Sequence, residues 1–127
     1  MDSEAYFKQA VASEKDGNVD LAATMYERIL ENIPTHPATL YNFATLNAKR
    51  RRYADAIALY ERLLTVEPNA PQACYNAAIC YMKLSDVSRA VDYLQKAVTM
   101  DPHYEDAHHL LGGICHVLYT RCNKTDS

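Results

Sequence analysis

Six residues near the C-terminus carry side chains that bind metal ions: His103, His108, His109, Cys115, His116 and Cys122. Two ligands on one helix share an ion when they stand three or four residues apart, because that spacing puts both on one face. His109 and His116 stand seven apart, as do Cys115 and Cys122. Seven residues of helix span about 10 Å along the axis, too far for one ion. These residues therefore read as ordinary surface and core groups, and no metal or cofactor is expected.

Other chemistry is equally sparse. The three glycines, Gly17, Gly112 and Gly113, form no phosphate-binding loop. No spacing sets up a Ser–His–Asp or Cys–His arrangement, so no catalytic residue is assigned and no enzyme is expected. The run Lys49-Arg50-Arg51-Arg52 could serve phosphate or nuclear import. It also closes a helix, where each cation meets the negative end of the dipole for about 0.3–1 kcal/mol. With no second basic patch, the capping role is favoured.

Composition excludes further classes. A net charge of −3 gives no overall attraction to nucleic acid. No run of about 18 apolar residues occurs, so no membrane span is expected. The acidic start Met1-Asp2-Ser3-Glu4 has neither a signal-peptide nor a transit-peptide layout. Cys74 and Cys80 stand six apart and project from different helix faces, so they do not pair easily. The four cysteines are expected as reduced thiols in the cytoplasm, with the nucleus also open.

The elements that position these groups follow one period. Pro34, Pro68 and Pro102 lie 34 residues apart, as do Ala22, Ala56 and Ala90, and Lys15, Lys49 and Lys83. Tyr26, Tyr60 and Leu94 keep the same step. Within a period, two amphipathic helical patterns meet at a short turn: Cys74, Ala77, Ala78 and Tyr81 stripe the first, and Ala90, Leu94 and Ala97 the second. A short turn makes such helices antiparallel, and one hairpin needs a copy beside it to bury both faces. The predicted helices are 3–15, 19–32, 37–50, 53–66, 71–84, 87–100 and 105–119, with Asp2 or Ser3 as first cap. Gly17 is the residue free to turn left-handed at the first stop, and Pro37 and Pro71 open helices where a missing N–H costs nothing. Ala10, Ala44, Ala78 and Gly112 fall where paired helices cross closely, with Ala22, Ala56 and Ala90 opposite; larger side chains there would overpack by about 1–3 kcal/mol.

These columns resemble the tetratricopeptide repeat, a helix-turn-helix unit of this length. Numbered within a unit, the third repeat reads Cys74, Ala77-Ala78, Tyr81, Ala90, Leu94, Ala97 and Pro102 at the family's key positions. The second reads Leu40, Phe43-Ala44, Asn47, Ala56, Tyr60, Leu63 and Pro68. The first reads Tyr6, Gln9-Ala10, Ser13, Ala22, Tyr26, Ile29 and Pro34. The fourth offers His108, Leu111-Gly112 and Cys115. The resemblance implies an all-α, right-handed α-solenoid of antiparallel helix pairs, about seven helices, over residues 1–119. Its repeats are 3–36, 37–70 and 71–104, followed by a terminal helix 105–119 and a frayed polar tail 120–127.

The family's first helices line a concave groove, which the resemblance makes the binding site for a protein or peptide partner. The groove residues are Phe7, Lys15, Tyr41, Asn42, Thr45, Lys49, Gln72, Tyr75, Asn76, Ile79, Met82, Lys83 and His109. Asn42 and Asn76 would hold a peptide backbone, and the lysine row Lys15, Lys49 and Lys83 would favour acidic side chains. Members that grip the C-terminal carboxylate of heat-shock chaperones take Lys, Asn, Asn, Lys and Arg at five set places. Here those places hold Phe7, Val11, Asn42, Gln72 and Asn76, or one repeat later Tyr41, Thr45, Asn76, Asp106 and Leu110. One match in each register argues against a chaperone tail. The expected function is a non-enzymatic adaptor, scaffold or complex subunit. The alternative is a regulatory or substrate-docking part of a larger enzyme or multi-subunit machine.

The last helix carries Leu110, Leu111, Ile114, Val117 and Leu118 on more than one face, whereas a capping helix should be polar outside. Three explanations stand: a longer parent chain, a partner supplying the next helix, or end-to-end self-association.

Overall fold

The computed structural model describes residues 2–125, with side chains as far as Val117. It contains seven helices and no strand among those residues: α1 (Ser3–Lys15), α2 (Val19–Asn32), α3 (Pro37–Lys49), α4 (Tyr53–Val66), α5 (Pro71–Lys83), α6 (Val87–Met100) and α7 (Glu105–Thr125). The first six match the expected spans to within a residue. Helix α7 continues past Tyr119 because neither Gly nor Pro follows to stop it. Of the expected tail, Asp126 and Ser127 lie outside the described residues.

Local chemistry sets the ends. The Asp2 carboxylate accepts from the N–H groups of Glu4 and Ala5 at 3.2 and 3.4 Å, and Asp86 accepts from Arg89 N–H at 3.2 Å. His36 caps α3: its Nδ1 accepts from Thr39 N–H at 3.3 Å and lies 2.7 Å from Thr39 Oγ1. Pro37 and Pro71 occupy the first turns of α3 and α5.

The turn inside each complete repeat has one geometry. Gly17, Arg51 and Ser85 stand at φ 86°, 63° and 64°. The next N–H then reaches back five residues at 2.8 Å, Asn18 to Ser13, Arg52 to Asn47 and Asp86 to Tyr81. The turn demands a left-handed residue, and two of the three copies fill it without glycine.

The chain divides into two compact units, residues 1–68 and 69–127. In the first, α1 packs on α2, α2 on α3 and α3 on α4. Ala10, Ala22, Ala44 and Ala56 are wholly buried at the crossings, beside Tyr26, Ile29, Leu40 and Tyr60. In the second, α5 packs on α6 and α6 on α7, around Cys74, Ala78, Ala90, Leu94 and Ala97, none of them solvent-exposed. Each large apolar side chain so buried contributes about 1.5–3 kcal/mol. Position three adds a column that the periodic reading passed over: Thr39, Ala73 and Ala107 are buried, while Ala5 is exposed.

The fourth copy departs from the columns. A Cβ added at Gly112 would meet nothing within 4 Å, so the close crossing expected there does not form. His108, expected in a core column, is exposed, and so is Cys115. The reason is common to all three: no second helix follows α7 among the described residues to cover that face. Ile114 is buried and Leu110 and Leu111 are half-buried, but Val117 is exposed. The side chain of Leu118 lies outside the described residues.

Candidate functional site

In α3 and α5, the fifth, sixth, ninth and twelfth repeat positions are all half-buried: Tyr41, Asn42, Thr45 and Ala48, then Tyr75, Asn76, Ile79 and Met82. The same places on α1 put Phe7, Val11 and Glu14 at half burial, with Lys8 exposed. These groups are held by packing beneath and open to water above.

In the first unit the face is a bonded surface. Tyr26, wholly buried on α2, donates its hydroxyl hydrogen to Glu14 Oε1 at 3.0 Å. The Asn42 amide hydrogen-bonds to the same hydroxyl. Burial, and then the Glu14 carboxylate, push the Tyr26 hydroxyl well above the ordinary tyrosine range. The second Glu14 oxygen lies 3.7 Å from Lys49 Nζ. Phe7 packs against the rings of Tyr26 and His36, centroids 6.2 and 5.7 Å apart. Tyr41 meets Tyr60 edge-on at 6.0 Å. Thr45 Oγ1 donates to the Tyr41 carbonyl at 2.9 Å and sits 2.8 Å from the Tyr60 hydroxyl. Lys15 is exposed at the end of α1 and draws no ion pair among the described residues.

The predicted groups are therefore not equivalent. Asn42 is partly committed to Tyr26, and Lys49 shares Glu14, so neither is a bare ligand contact. The basic run is used internally too. Arg50 pairs with Asp20 at 3.1 Å, Arg51 forms the left-handed turn, and Arg52 precedes α4.

In the second unit Tyr75 packs on Tyr104, centroids 5.2 Å apart. Ile79 and Met82 continue the half-buried stripe, while Gln72 and Lys83 are exposed at its ends. His109 is exposed and lines a shallow hollow with Pro102, His103, Glu105 and His108. His108 Nε2 lies 2.8 Å from the Pro102 carbonyl, so that nitrogen holds its proton and is not a free ligand. No group of His, Cys, Asp or Glu among the described residues could hold a metal ion, and the side chain of Cys122 lies outside them. Cys74 and Cys80 are free and buried, and Cys115 is free and exposed. Burial pushes the Cys80 thiol up to about 11. It raises Cys74 as well, against the lowering effect of Lys96. No described helix is long and apolar enough to cross a membrane.

One cluster was missed from sequence. Tyr81 stacks on Tyr93 at 5.4 Å, with Arg89 over the Tyr81 ring and Lys96 over the Tyr93 ring at 5.9 and 4.7 Å. The i,i+4 spacing of Arg89 and Tyr93 and the i,i+3 spacing of Tyr93 and Lys96 were a signal, but Tyr81 joins them through the hairpin.

The sequence profile described as tetratricopeptide repeat matches residues 41–105, and a second profile so described matches residues 4–36. The chain belongs to the tetratricopeptide repeat family. Solved tetratricopeptide structures superpose closely. MamA (residues 41 to the end) from Desulfovibrio magneticus RS-1 matches with a TM-score of 0.82 at 24% identity, covering 89% of this chain and 64% of that one. The first repeat domain of Spaghetti (RPAP3), bound to the HSP90 peptide SRMEEVD, gives 0.84 at 16% identity, covering 92% and 93%. YrrB, described as a tetratricopeptide protein with an unusual peptide-binding site, gives 0.80 at 19%, covering 87% and 57%. This chain thus spans under two-thirds of the MamA and YrrB chains. At these identities the likeness establishes the fold. No curated protein matches the chain by sequence.

Proposed function

We propose that the chain is a non-enzymatic protein-interaction module whose inward first-helix face binds a peptide or partner segment. The observation that carries this is the half-buried stripe repeated on α3 and α5, in which Tyr-Asn is followed by Thr45-Ala48 in one copy and Ile79-Met82 in the other. Packed aromatic rings with one open face bind at little entropic cost, because their rotamers are already fixed. An asparagine offers both donor and acceptor to an extended backbone. With one Asn42 N–H turned to Tyr26, its carbonyl and second N–H remain for a ligand. Lys15 and Lys83 are the cations that would meet acidic side chains, since Lys49 already shares Glu14.

Two of the similar structures are described by a bound peptide or a peptide site, which supports this use of the fold. The chaperone tail is a poor candidate by chemistry. Where a carboxylate clamp needs Lys and Asn, this chain presents half-buried Phe7 and Val11.

Affinity purification with mass spectrometry tests the reading, using the wild-type chain and Asn42→Ala/Asn76→Ala as paired baits. Partners retained by the first and lost from the second are expected. Equal recovery of the same partners, with the helix content of the variant unchanged, overturns it.

A further inference from the structure

Two shallow hollows of the first unit lie between the two second helices, α2 and α4, away from the stripe described above. Two neighbouring hollows of about 350 Å³ each share Glu27, Phe43 and Leu59 and together make one trough. Its floor is largely apolar: Ala23, Leu30, Phe43 and Leu59 are each at most 9% exposed, with the buried amide of Asn47 among them. Nine residues of α2, Ala23 to Glu31, run along it, a length of about 12 Å or two helical turns.

The walls carry opposite charge. Glu27 and Glu31 stand one turn apart on the α2 wall, both exposed. Neither makes an ion pair or hydrogen bond among the described residues. The opposite wall bears Arg52, just before α4, and Asp55 and Arg62 on α4. Arg62 Nη2 donates to the Pro34 carbonyl at 2.8 Å, which fixes the guanidinium without neutralising it. Arg50, at one end, already pairs with Asp20. The two walls face each other across apolar floor without closing, so the carboxylates and guanidiniums are left for a partner.

Both walls are helices whose backbone groups are bonded internally, so an extended peptide would find no ladder here. A helix brings its own backbone bonds and needs only an apolar stripe. We propose that this trough docks an amphipathic helix of a partner protein. Two large apolar side chains, three or four residues apart, fill the two hollows. Lys or Arg lines the flank that meets Glu27 and Glu31, and Asp or Glu lines the flank that meets Arg52 and Arg62. The charge pattern specifies the partner and steers its approach, while the floor supplies the apolar contact.

Fluorescence anisotropy with three labelled 18-residue helical peptides tests this. All carry the same pair of leucines at i and i+4; the first has one Lys flank and one Glu flank, the second Glu on both, the third Lys on both. The mixed peptide is expected to bind at least tenfold more tightly than either uniform one, whichever direction it lies. Glu27→Lys/Glu31→Lys makes both walls basic. It should weaken the mixed peptide at least tenfold and turn preference to the doubly acidic one, while Asn76→Ala leaves the ranking unchanged. Three outcomes overturn the proposal: no binding of the mixed peptide, equal binding of all three, or an unaltered ranking on the charge-reversed variant. Concentration-dependent dimerisation abolished by Glu27→Lys/Glu31→Lys would also overturn it, making a second copy the occupant.

Discussion

The hydroxyl of Tyr26 donates to Glu14 Oε1 at 3.0 Å, tying the second helix of the first repeat to its own first helix. The Asn42 amide meets the same hydroxyl from α3, and Lys49, also on α3, meets the other Glu14 oxygen. One phenol therefore links three helices beneath the first-helix face of this unit and orients an asparagine proposed to bind ligand. Tyr26→Phe keeps the ring and removes both bonds. We expect it to lower stability by about 1 kcal/mol, read as the urea midpoint at unchanged m-value. An unchanged midpoint would show that the bonds carry no net stability.

The left-handed turns give a prediction of opposite sign. Arg51 and Ser85 hold φ near +63°, which costs a side-chain-bearing residue about 1–2 kcal/mol. Arg51→Gly and Ser85→Gly should each raise stability, by roughly 0.5–1 kcal/mol after the larger entropy of glycine in the unfolded chain is deducted. Gly17→Ala should lower it by a similar amount. Thermal unfolding of the three variants checks this, and destabilisation by both glycine substitutions would contradict it.

Much of this architecture is legible in sequence, for identifiable reasons. Proline, glycine and the 34-residue columns place six helices to within a residue, because breakers and small-residue crossings act locally. The open face of α7 was legible, but the exposure of Gly112 and His108 was not, because a column is buried only when its neighbour is present, and among the described residues no helix covers them. The stripe on α3 and α5 was legible as positions. The engagement of Asn42 with Tyr26, and of Lys49 with Glu14, was not, because those pairs join different helices at sequence distances that no helical period predicts. The trough between α2 and α4 was likewise invisible, since its charges come from opposite walls.

Buried thiols make the fold sensitive to alkali. Burial raises the Cys80 pKa in the folded state to about 11, from an ordinary thiol value of 9.0. Its protonated form is thus the one that folding favours. The associated stability is full below the unfolded value and is lost as pH rises from about 9 toward 11, at no more than about 1.4 kcal/mol per pH unit for each thiol. Cys74 shifts in the same direction. Urea denaturation at pH 8 and pH 10.5 should show a smaller loss for Cys80→Ala than for the wild-type chain. Equal losses would remove Cys80 as a contributor.

The chaperone tail supplies a negative prediction. Fluorescein-labelled Glu-Glu-Val-Asp peptide should fail to saturate the chain at concentrations far above the low micromolar range. A micromolar Kd, about −8 kcal/mol, would contradict the reading of Phe7, Val11 and Gln72 as a face without a clamp.

The central claim, that the inward stripe binds the partner, is tested most directly by calorimetric titration of a partner segment recovered by affinity purification. The titration compares wild type, Tyr75→Ala/Asn76→Ala and Tyr104→Ala. The last variant loses the same 5.2 Å ring contact with Tyr75 and so controls for lost packing. We predict that the double variant weakens binding at least tenfold, about 1.4 kcal/mol, and that Tyr104→Ala changes it much less. Equal affinities for the wild type and the folded double variant would contradict the account.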